Sequence, residues 1–100
     1  MSGRFPVEAI EAPATLTDYS GVTTAGKSIQ IMPANPSARL YRIQNLSQTE
    51  SLWFNDAGGE AAPYTPSSYV LLPGSYYEFP GVLALSVYAN TIIPFSAARY

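Results

Sequence analysis

Apolar and polar positions alternate with a period of two along most of this chain, the signature of half-buried strands. Lys27–Met32 sets Ile29 and Ile31 against Ser28 and Gln30. Ala38–Leu46 puts Tyr41 and Ile43 on one side and Arg42 and Gln44 on the other, so the first pair is expected inward. Ser51–Asn55 places Leu52 and Phe54 opposite Trp53, and Val82–Ala89 groups Leu83, Leu85 and Val87. Thr91–Ala98 carries Ile93 and Phe95 inward, and Pro94 within it argues for an edge or bulged position. Ala14–Tyr19 reads as a first strand ended by Ser20-Gly21. Ser68–Leu72 and Ser75–Phe79 flank Pro73-Gly74, where glycine supplies the positive φ of a type II turn.

Nine Pro and seven Gly punctuate the chain at short intervals, which leaves no room for a long helix. Pro33-Ala34-Asn35-Pro36 is a firm break. Asp56–Ser67, with Gly58, Gly59, Pro63 and Pro66, is a loop near the length at which loops tend to carry function. About seven or eight short strands at this turn spacing predict an all-β fold: one small antiparallel β-sandwich over residues 14–100, the jelly-roll type included. The pattern leaves the strand order open. Residues 1–13 are expected to form an extended N-terminal arm, because Pro6 and Pro13 favour extended backbone. Val7 and Ile10 are its apolar anchors, and VEAIEA amounts to one helical turn at most.

Composition narrows the function. The chain has no His and no Cys, which removes the commonest general base, the thiol nucleophile, disulfides and zinc knuckles. The seven carboxylates show no pairing of the kind a glycosidase needs, so no catalytic residues are assigned and no enzyme is expected. Asp56-Ala57-Gly58-Gly59-Glu60 lacks the alternating oxygen ligands of a calcium loop, and neither a metal nor a cofactor is expected. Five cations spread along the chain, with a net charge of −2, give no basic footprint for nucleic acid or an anionic membrane. The start, MSGRFPVEAIEAP, has no apolar core of signal-peptide length, so synthesis in a cytoplasm without classical export is expected. Asn45-Leu46-Ser47 matches a glycosylation sequon, and its expected role is instead local hydrogen bonding at a strand end.

Charged residues are only 12% of the chain and hydrophobic ones 47%. Such a surface is covered by uncharged polar and aromatic groups or is buried against partners. Eight tyrosines bear on this, because Tyr64, Tyr69, Tyr76 and Tyr77 gather in and after the long loop. Tyrosine gives large contact area at low entropy cost. Val7, Ile10, Trp53, Tyr64, Tyr69, Tyr76, Tyr77 and Tyr100 are therefore the candidate interface residues. Trp53 beside Asn55 offers a second reading, an indole face for stacking and an amide for hydrogen bonds.

Asn35-Pro36-x-x-Arg39, Ile43-Gln44-Asn45-x-Ser47, Leu52-Trp53-x-Asn55, then Leu72-Pro73-Gly74 and Glu78 form an ordered set over residues 33 to about 90. It resembles small structural proteins of tailed bacteriophages, compact β-sandwiches that decorate or cement the capsid or sit at tails and fibres. The resemblance implies a virion protein, made in the host cytoplasm, that binds the major capsid protein or other virion proteins as a homo-oligomer, a dimer or trimer. The PYTPSS stretch and the arm lie outside the pattern. The alternative it leaves is a tail- or fibre-associated receptor- or carbohydrate-binding module that uses Trp53 and the loop tyrosines.

Overall fold

The computed structural model describes residues 16–100. The expected arm, with Val7 and Ile10, the VEAIEA turn and the beginning of the first strand lie outside the described residues. Nine short strands follow: β1 (Thr17–Asp18), β2 (Gly21–Val22), β3 (Ile29–Met32), β4 (Tyr41–Asn45), β5 (Leu52–Asn55), β6 (Tyr69–Leu71), β7 (Tyr76–Phe79), β8 (Leu85–Tyr88) and β9 (Pro94–Arg99).

Among the described residues all pairs of these strands are antiparallel, and they form two sheets. One runs β1–β9–β4–β7 with β2 also on β9, and the other runs β3–β8–β5–β6. The pairing is nested: β1 and β2 meet β9, β3 meets β8, β4 meets β7, and β5 meets β6. A hairpin wound on itself in this order is a jelly roll. The sandwich inferred from the alternation is thus the fold, and its topology is now defined.

β1 and β2 hold one register against β9, with Asp18 opposite Ala98 and Val22 opposite Pro94. Ser20-Gly21 therefore does not end the first strand, as the sequence suggested, but interrupts it. The Ser20 hydroxyl accepts the Ala97 N–H at 2.9 Å, where a strand carbonyl would otherwise serve. That hydroxyl donates to Asp18 Oδ1 at 2.6 Å and the Ser20 N–H donates to the same oxygen at 3.0 Å. These two bonds, the side-chain one first, hold the Asp18 carboxyl below the usual carboxylate range.

The inward positions follow the alternation. Tyr41 and Ile43, Leu52 and Phe54, Leu85 and Val87, and Ile93 and Phe95 are all buried in one core between the sheets. Each such large side chain contributes about 1.5–3 kcal/mol. Three details depart from the pattern. A register shift between Gln30 and Met32 turns Met32 into the fully buried place and leaves Ile31 half-buried at its margin. Leu83, expected inward, is 49% exposed, because its carbonyl is held by the Arg99 guanidinium at 2.9 Å and the ladder starts only at Leu85. Pro94 is neither on an edge strand nor at a bulge, since β9 lies between β1/β2 and β4. It is the first residue of β9, where the missing N–H costs no ladder bond.

Candidate functional site

Four loops meet at one end of the jelly roll: Thr23–Ser28, Leu46–Ser51, Leu72–Ser75 and Ala89–Ile93. Asn45 organises this end from within. Its Nδ2 donates to the Glu50 carbonyl at 2.7 Å and the Leu71 carbonyl at 3.0 Å, and its Oδ1 accepts the Ser47 N–H at 2.9 Å. Ser47 Oγ accepts the N–H groups of Thr49 and Glu50. The sequon asparagine is fully buried and fills the structural role expected of it. Gly74 takes φ 80° in the turn closed by the Ser75 N–H on the Leu72 carbonyl at 2.9 Å, the conformation glycine alone adopts without strain.

Asn55 repeats this device at the end of β5. Its Nδ2 donates to the Glu60 carbonyl at 2.9 Å and its Oδ1 accepts the Ala57 N–H at 2.8 Å. The amide is buried and spent on backbone, so the recognition pair of Trp53 with Asn55 does not exist. What Asn55 does is fold the long loop back over the outer face of the β3–β8–β5–β6 sheet. Ala61 is buried there, its N–H on Ser28 Oγ at 3.0 Å. The Ala62 N–H then bonds Ser68 Oγ at 3.0 Å, the Thr65 hydroxyl bonds the Ala62 carbonyl at 2.9 Å, and the Ser68 N–H bonds the Thr65 carbonyl at 3.1 Å.

This tethered tip carries Tyr64 against Trp53. Trp53 lies on the outer face of β5, half-buried, between Val70 of β6 and Tyr88 of β8. The Tyr64 and Trp53 rings meet edge to face, centroids 4.9 Å apart at 62°. Tyr64 is 90% exposed and sits at φ 57°, just after Pro63 in a turn. Glycine or asparagine ordinarily holds such a position, and a side chain of this bulk costs roughly 1–2 kcal/mol there. The two rings wall a recess of about 260 Å³ completed by Thr49, Glu50, Ser51, Pro63 and Asn90.

The other candidate tyrosines are distributed, not gathered. Tyr69 and Tyr77 point inward at the open margin between β6 and β7. The Phe54 ring lies 5.4 Å from both, Tyr69 and Tyr77 are 6.2 Å apart, and Tyr77 stacks on Phe79 at 6.1 Å. They form an aromatic seam between the sheets. Tyr76 faces outward from β7, 68% exposed. It borders an open trough of about 510 Å³ over Arg42, Gln44, Glu78, Ser96 and Ala98. Tyr100 is half-buried at the opposite end, its backbone bonded to Arg39 and Leu40.

Two groups with chemistry lie at that opposite end. The Tyr41 hydroxyl donates to Asp56 Oδ2 at 2.5 Å. Burial first, and then the Asp56 bond, push its phenol far above the usual range. Tyr77 is raised too, by desolvation and then by the Asp56 charge. Asp56 thus spends one carboxylate oxygen on a phenol. Among the described residues no three His, Cys, Asp or Glu side chains gather into a cation site.

Glu50 and Asn90, which complete the recess, were not singled out in the sequence. Forty residues separate them, and only the register that sets Trp53 opposite Tyr88 brings them together. Compared with known proteins, the chain matches no family model, no curated protein and no solved structure.

Proposed function

We propose that this chain is a non-enzymatic structural protein of a tailed-bacteriophage virion, a capsid decoration or cement protein that binds across shell subunits. The motif order Asn35-Pro36 to Glu78 supports this reading. The observation that carries it is the outer face of the β1/β2–β9–β4–β7 sheet. Val22 stands opposite Pro94, and the Leu46 N–H bonds the Pro94 carbonyl at 3.2 Å, which makes one exposed apolar row. Gln44 stands beside Ser96 and Tyr76 in the next. Arg42 stands beside Ala98 and Glu78 in the third, its Nε 3.9 Å from the Glu78 carboxylate. Asp18, opposite Ala98 on β1, completes that row, so these three rows hold one cation and two carboxylates; a broad face with so few charges is suited to adhesion rather than to steering a charged ligand. As one weak contact it counts for little; in a symmetric array of dimers or trimers on a shell it counts for much.

The test is stoichiometry, read by quantitative mass spectrometry of purified particles against the major capsid protein. Copy numbers near that of the shell protein are expected, and absence from the particle overturns the reading. Tyr76→Lys and Leu46→Lys, both at exposed positions, should fold normally yet weaken attachment to stripped particles by about tenfold or more. A tail- or fibre-associated carbohydrate-binding module is the second reading, favoured by the Trp53–Tyr64 recess. A few copies per particle would select it.

A further inference from the structure

We infer that the Trp53–Tyr64 recess is a binding site for a neutral or N-acetylated sugar ring. The inference deepens the carbohydrate-binding reading and rests on it alone, since the recess lies on the sheet opposite the adhesive face and does not depend on capsid attachment.

Tyr64 carries the argument. An aromatic side chain that is 90% exposed gains little from burial, yet it occupies a φ of 57° that glycine would adopt freely. The edge-to-face contact with Trp53 offsets that strain at most in part, so folding alone does not account for a ring in that place. Strain at an exposed, tethered position is the arrangement found where geometry serves a ligand. The tether is complete: Ser28, Asn55, Thr65 and Ser68 each hold the loop backbone through a side chain. The backbone that carries the ring is therefore held before any ligand arrives, which lowers the ordering cost of binding.

The chemistry of the walls selects the ligand. Edge-to-face contact between Trp53 and Tyr64 makes a corner with one aromatic face free, against which the C–H face of a pyranose packs. With a single free face, the two rings do not form the multi-walled aromatic cage that encloses a quaternary ammonium. Around the corner stand Thr49, Ser51, Glu50 and Asn90. The Glu50 carboxylate has no hydrogen-bond or ion-pair partner among the described residues. Asn90 accepts the Tyr88 hydroxyl at 3.3 Å on Oδ1 and keeps its Nδ2 donors. Acceptor and donor groups set beside an aromatic face match the hydroxyls of a sugar ring. The lining holds a carboxylate and no cation, so a uronic or sialic acid would be repelled. At about 260 Å³, below the roughly 300 Å³ at which drug-sized pockets begin, the recess takes one ring of a chain rather than several.

Trp53 is the only tryptophan, so its fluorescence reports the site directly. The protein is titrated with glucose, galactose, mannose, N-acetylglucosamine and their oligomers, and with glucuronic and sialic acids as acidic probes. A saturable change with at least one neutral probe and none with the acids is expected. Tyr64→Gly should weaken that binding by about tenfold or more while Tm stays level or rises by up to about 5 °C. Tyr64→Phe should bind as the parent does. No response to any probe overturns both the inference and the carbohydrate-binding reading and leaves decoration standing. Preference for the acids, or a Tyr64→Gly protein that binds normally, overturns the inference alone.

Discussion

Replacing Arg99 by Met or by Lys should each lower stability by about 2–4 kcal/mol, and the Lys variant should be no better than the Met variant. Arg99 is 3% exposed and forms no salt bridge among the described residues. Its Nη1 donates to the Pro33 carbonyl at 2.6 Å, and its Nη2 donates to Leu83 at 2.9 Å and Gly81 at 3.3 Å. The guanidinium lies 5.8 Å from the centre of the Tyr41 ring, within cation–π reach. Opposing this, Nε is buried and unpartnered, and desolvating a charge without a counter-ion is expensive. An apolar residue would remove that cost. The hydrogen bonds win because they do more than compensate one charge. They tie the end of β9 to the loop before β8, and they add to the Tyr100 backbone bonds with Arg39 and Leu40 that already hold it to the loop after β3; those two loops are joined to each other by the bond from the Asn35 N–H to the Val82 carbonyl. Lysine keeps the desolvation cost but cannot reach three carbonyls with a planar fork. Urea unfolding checks this, with a drop in Tm of at least about 8 °C alongside. Two variants within 1 kcal/mol of the parent would show that the fork is idle, and a rescue by Lys would reduce its role to charge.

The parts of the fold visible in the sequence are those set by local alternation. Tyr41 and Ile43, Leu52 and Phe54 face inward because a strand allows only two sides, and Gly74 turns because glycine takes its φ without strain. The jelly-roll order was out of reach, since it depends on which distant strands pair. Pro94 shows how a sound rule misleads: proline is excluded from the middle of a central strand but not from its first residue. Leu83 shows another limit. Its apolar phase fits β8, but a buried cation at the far end of the chain holds its carbonyl and keeps it out of the ladder.

The candidate site was half legible for the same reason. Trp53 and Tyr64 stand out as aromatic residues on a strand and a loop tip, while Glu50 and Asn90 carry no signal until β5 and β8 are in register. The four clustered tyrosines look alike in sequence, but alternation alone separates two of them: Tyr77 pairs with inward Ile43, whereas Tyr76 pairs with outward Gln44. Asn55 looked available because its amide is polar and next to Trp53; both its ends are consumed by the loop it holds. That use is indirect but decisive for the site, because the loop it anchors delivers Tyr64.

Alkaline pH should unfold this protein through Tyr41. The phenol is fully buried, bonded to Asp56, and titrates far above its ordinary range because burial, then the neighbouring carboxylate, disfavour the phenolate. A folded-state value raised above that of the unfolded chain means that the stability is fully present below about pH 10 and is lost as pH rises above it. The loss should approach about 1.4 kcal/mol for each pH unit, with Tyr77 adding a smaller part in the same direction. Tyr41→Phe keeps the ring and its packing, lacks the proton, and should cost about 1 kcal/mol at pH 8 through the missing bond to Asp56. Between pH 9 and 11.5 its stability should then fall much less than the parent's, so the two unfolding curves converge and cross. The two proteins differ by one hydroxyl, which assigns the difference in slope to it. Parallel slopes would mean that Tyr41 reaches water in the folded state, and the contact between β4 and the start of the long loop would have to be looser than its geometry indicates.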